Sequence, residues 1–74
     1  MIPNYSRVRL LTNRYLEQGV AEGAVGYVID VYSDGDYEVE FSKTDGSTIA
    51  QFAVHADEVK MIEQENINVD DLAA

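Results

Sequence analysis

One stretch restricts the fold more than any other. In GAVGYVIDVYSDGDYEVEF (residues 23–41), the pair Asp34-Gly35 stands between two apolar runs. Asp-Gly in that setting predicts a β-hairpin, because the favoured two-residue turn needs positive φ at both central positions. The second strand of the pair alternates cleanly. Tyr37, Val39 and Phe41 share one face, and Glu38 and Glu40 share the other. That fixes the register, since a slip of one residue would bury two carboxylates. The first strand is apolar on both parities: Val25, Tyr27, Ile29 and Val31 on one, Val28 and Tyr32 on the other. It is therefore expected either to be covered on both sides or to carry a bulge, for which Gly26 is the natural place.

The remaining segments extend this hairpin into a small all-β body. Residues 5–12 (YSRVRLLT) alternate as a strand, with Val8 and Leu10 inward and Arg7 and Arg9 outward. Residues 13–22 read as a loop with one helical turn at Tyr15-Leu16-Glu17, ended by Gly19 in the left-handed conformation. Thr44-Asp45-Gly46-Ser47 repeats the turn chemistry and leads into STIAQFAV, whose inward members are Ile49, Phe52 and Val54. His55-Ala56-Asp57 predicts one 3₁₀ turn before a short last strand over residues 58–62. Short strands joined by Gly-bearing turns at this spacing predict a five-stranded barrel over residues 1–62. From Glu63 onward, EQENINVDDLAA is polar and acidic. Such a segment buries too little apolar area to offset ordering entropy of about 1–2 kcal/mol per residue, so residues 63–74 are expected to form a mobile tail.

Composition narrows the chemistry. A chain of 74 residues is one domain near the lower limit for an unaided core. It has no Cys, so disulfides and thiolate sites are excluded, and its single His leaves any metal to carboxylates. Met1-Ile2-Pro3 opens no basic or long apolar run, so neither a secretory signal nor a membrane span is expected, and a cytoplasmic protein is. Fourteen acidic residues against five basic give a net charge of −9. Arg7, Arg9 and Arg14 fall in the first fourteen residues, which hold no acid, so the rest of the chain carries −12. This asymmetry argues against a phosphate backbone as partner and suits a basic protein, a copy of the chain, or solubility.

Candidate sites follow from these residues. His55, with Asp57 and Glu58 behind it, has the elements of a general base, but a barrel this small offers little interior for a substrate. Asp34, Asp36, Glu38 and Glu40 form an acidic strip splayed along a hairpin. Calcium instead needs six to eight oxygens converging on one point. Tyr15, Tyr27 and Tyr32 are candidates for a partner-binding patch, because Tyr combines contact area with one hydroxyl. A polyproline groove is disfavoured by the lack of Trp. No nucleophile–base pair, phosphate loop or metal cluster argues for an enzyme, and no cofactor is expected.

The spaced glycines Gly23 and Gly26 before Val28 carry a family resemblance, together with Val31-Tyr32, Asp34-Gly35, the run Tyr37 to Phe41, and Ala56-Asp57-Glu58-Val59. Over residues 6–62 the chain resembles the DUF4926 family, an uncharacterised bacterial family of small proteins, and more broadly SH3-like barrels with a KOW-type motif. The resemblance implies a strongly bent, five-stranded SH3-like barrel and carries over no catalytic residue. Nucleic-acid-binding KOW modules are basic, whereas Asp30, Asp34, Asp36, Glu38 and Glu40 line this hairpin. The expected function is a non-enzymatic protein–protein interaction module, such as an acidic antitoxin, immunity protein or accessory subunit, with a basic protein as partner. The alternative is a nucleic-acid contact made by Arg7, Arg9 and Arg14. Apolar groups outside the expected core, Leu11, Leu16, Ile29 and Met61, leave a homodimer open.

Overall fold

A computed structural model describes residues 1–43 and 45–62; the expected tail lies outside the described residues. Five strands form one antiparallel sheet: β1 (Arg7–Leu10), β2 (Val25–Val31), β3 (Tyr37–Ser42), β4 (Thr48–Val54) and β5 (Val59–Met61). Two single 3₁₀ turns, Leu16–Gln18 and Ala56–Glu58, complete the described elements, so these residues are all-β. The strand order β4-β3-β2-β1-β5 is compatible with the SH3-like arrangement that the resemblance implies.

Alternation decides which side of the sheet closes on itself. Val8 and Leu10 of β1, Val28 of β2, Val39 and Phe41 of β3 and Val54 of β4 point to one side and are fully buried, joined there by Val20. β-branched and aromatic side chains suit a pleated, covered face, and each contributes about 1.5–3 kcal/mol on burial. Phe52 is half-buried over this core. Its ring centroid lies 4.6 Å from that of Tyr15 and 5.3 Å from that of Phe41. Leu11, Leu16 and Met61 are exposed and Ile29 half-buried, as their place outside the pattern requires.

Two expectations about the hairpin need correction. The Asp34-Gly35 connection is a three-residue loop and has positive φ only at Gly35 (95°). The Gly35 N–H donates to the Tyr32 carbonyl at 2.9 Å, and the Tyr32 N–H to the Asp36 carbonyl at 2.8 Å. This is a type I turn closed by a left-handed glycine, which shares the Asp-Gly signature with the two-residue turn. The second turn shares the left-handed glycine and its hydrogen bond: Gly46 has φ 91°, and its N–H donates to the Lys43 carbonyl at 2.9 Å. Asp34 and Asp45 each accept a 2.9 Å bond from the backbone N–H two residues on, at Asp36 and Ser47.

The β2 bulge also lies elsewhere, between Val28 and Asp30 rather than at Gly26. Gly26 pairs in register with Phe41. A Cβ there would lie 2.7 Å from the Glu40 carbonyl oxygen and 2.8 Å from Val39 Cγ1. Close packing of β2 on β3 therefore excludes a side chain at Gly26, and the irregularity falls where Ile29 has no partner.

Candidate functional site

The outer face of the sheet is divided by charge, and the register shows how. Across β5, β1 and β2, Lys60 pairs with Arg9 and Arg9 with Val25. The next row runs from Arg7 through Tyr27 and Glu40 to Gln51 on β4. In the third row, Asp30 pairs with Glu38 and Glu38 with Ala53. Cations thus gather toward β1 and β5, and carboxylates toward β2 and β3.

Within the acidic half, neutral donors hold the carboxylates in place. Glu38 accepts a 2.7 Å bond from the Tyr32 hydroxyl and a 3.2 Å bond from Gln51 Nε2. Glu40 accepts 2.7 Å from the Thr48 hydroxyl. Tyr32 is 41 % exposed, and its bond to Glu38 raises its pKa. Asp34 projects from the turn, and Asp36 lies 3.2 Å from His55 Nδ1. That contact raises the His55 pKa, because the carboxylate favours the charged ring. The sequence-expected acidic strip is thereby assembled, with Tyr32 and Tyr27 (43 % exposed) on the same side.

Tyr15 is corrected out of that patch. It is only 8 % exposed, held over Phe52 by the turn ending at Gly19, whose φ is 86°. Its hydroxyl donates to Glu58 Oε1 at 2.6 Å. The same oxygen accepts the His55 backbone N–H at 2.9 Å, and Oε2 accepts Arg14 Nη1 at 2.9 Å. Glu58 is 9 % exposed. Burial pushes its pKa up, but bonds from Tyr15, the His55 amide and Arg14 outweigh that and hold it below the ordinary glutamate value. Burial, then the bond to Glu58, pushes the Tyr15 hydroxyl up to about 12.

This cluster fastens the β1–β2 loop to the second 3₁₀ turn, and sequence reasoning missed it. Tyr15 and Glu58 lie 43 residues apart. The available signal was Glu58 three residues after His55, the spacing at which a glutamate reaches back to the first amide of a helical turn. His55 is exposed and lines neither of the two described grooves.

The Arg7, Arg9, Arg14 strip is also divided. Arg14 is engaged with Glu58, and Arg9 Nη1 donates to the Gly23 carbonyl at 2.8 Å. Arg7 and Tyr27 are shared by two open grooves of about 450 and 400 Å³, one rimmed by Tyr5 and Met61, the other by Lys43. Among the described residues, no three His, Asp or Glu converge as a metal site, and no helix is long and apolar enough to cross a membrane.

Comparison with known proteins gives one family match. No curated protein and no solved structure matches the chain. The family model described as Domain of unknown function (DUF4926) matches residues 4–61, from the turn before β1 to the end of β5. The chain belongs to that family.

Proposed function

We propose that this is a non-enzymatic interaction module that binds a basic protein through the acidic half of its outer face. The observation that carries the reading is the direct cross-strand pairing of Asp30 with Glu38 beside Glu40. Like charges placed opposite each other in a sheet are unfavourable by a few tenths of a kcal/mol. A cationic partner relieves that repulsion on binding, and a negative field accelerates its encounter. Tyr27 and Tyr32 add exposed aromatic area beside the carboxylates. An antitoxin, immunity protein or accessory subunit in a bacterial cytoplasm fits this chemistry.

Capture from the native source tests it, with wild type and the E38Q/E40Q variant side by side at low and high salt. The expected result is a basic protein held by wild type at low salt and lost from the variant. Equal recovery by both, or no basic protein on either, contradicts the reading. The alternative, nucleic-acid contact, draws on the two grooves that meet at Arg7 and Tyr27. With Arg14 and Arg9 already bonded, it predicts a shallow salt dependence of few phosphate contacts.

A further inference from the structure

The two edges of the sheet differ in a way that specifies how a basic partner can attach. The β5 edge is three residues long and carries Lys60. The β4 edge is seven residues long, Thr48–Val54, and has no charged residue and no proline. Among the described residues, no backbone group of β4 bonds to anything beyond β3. Long uncharged edges are templates for another strand, and proteins normally blunt them with charge, proline or bulges. Here neither charge nor proline blunts the edge that adjoins the acidic face; a register shift leaves Ile49 without a partner on β3, but from Ala50 to Val54 the pairing is regular.

We propose that the free edge of β4 receives an extended segment of the basic partner as a sixth strand. The proposal rests on the protein-binding reading above and names the partner's chemistry. On the outer face, an added strand lies about two strand spacings, roughly 10 Å, from β3. Opposite Ala53 only a methyl group separates it from Glu38, and opposite Gln51 an amide separates it from Glu40. Lys or Arg at those two positions extends over β4 to the carboxylates. On the inner face, Ala50 and Phe52 are half-buried and leave apolar surface for the intervening residues. The recognised segment therefore alternates cationic and apolar residues. A second copy is the poorer occupant, since each chain carries −9 and brings its own Glu38 and Glu40 to the seam.

The test uses the full chain and three kinds of heptapeptide, read by NMR shifts and amide hydrogen exchange. The first is Lys-Val-Lys-Val-Lys-Val-Lys with capped ends. The second is that peptide N-methylated at either alternate set of amides, and the third has Glu in place of Lys. The expected result is at least tenfold slower exchange at the outward amides of β4, with β5 unchanged. At least one N-methylated version and the Glu peptide fail to bind, and E38Q/E40Q weakens binding about tenfold. Binding of the Lys peptide without β4 protection, unaffected by N-methylation, overturns edge addition and leaves the acidic-face reading standing. Protection by the Glu peptide as strong as by the Lys peptide overturns the charge reading itself. Protection that grows with protein concentration and needs no peptide assigns the edge to a second copy and overturns the proposal. No binding of the Lys peptide at low salt also overturns it.

Discussion

Glu58 and Glu38 are the same residue in opposite circumstances. Glu58 is buried, takes three hydrogen bonds from Tyr15, His55 and Arg14, and joins two segments far apart in the chain. Glu38 is half-exposed, faces Asp30 across the sheet, and among the described residues is bonded by neutral donors from Tyr32 and Gln51. The first carboxylate is surrounded by what a negative charge needs. The second has no cation paired with it among the described residues. The difference separates charge that builds the fold from charge available to a partner.

The comparison breaks most easily at Glu58. Replacing it with Ala leaves the buried Tyr15 hydroxyl and the His55 amide without an acceptor, and Arg14 without its ion pair. A loss of about 3 kcal/mol in urea unfolding is expected. A loss under about 1 kcal/mol would assign the cluster to the surface. Tyr15→Phe removes one donor while keeping the ring against Phe52 and is expected to lose about 1 kcal/mol.

How much of this was readable beforehand follows from range. The alternation in β3, the left-handed Gly19, the two Asp-Gly turns and the 3₁₀ turn after β4 are local, set within a few residues, and all were legible. The turn type was not, because the same dipeptide serves a two-residue and a three-residue loop and only hydrogen bonding separates them. Gly26 was misread as a bulge because a glycine required for close strand approach has the same sequence appearance. Tyr15 looked like a surface aromatic because its acceptor is far along the chain.

Protonation sharpens the contrast between the two carboxylates. The Glu58 pKa is lowered in the folded protein, so the stability it gives is present above the unfolded value of 4.5. That stability is lost as pH falls through the folded value. Wild type should therefore lose stability on acidification more steeply than E58A, measured by unfolding between pH 6 and pH 3, roughly the range of carboxylate titration. His55 runs the other way. Its pKa is raised by Asp36, so its contribution is complete below the unfolded value of 6.5 and disappears as pH rises through the folded one. NMR titration should show the His55 pKa falling in Asp36→Asn; an unchanged value would refute the contact.

The central claim is that the outer carboxylates repel one another in wait for a cation. Urea unfolding of wild type and Glu38→Gln at low and high ionic strength tests it without any partner. The account predicts that the variant is the more stable by about 0.5 kcal/mol at low salt and that the gap closes at high salt. A variant less stable than wild type at low salt would contradict it, because Glu38 would then be part of the fold's own scaffolding.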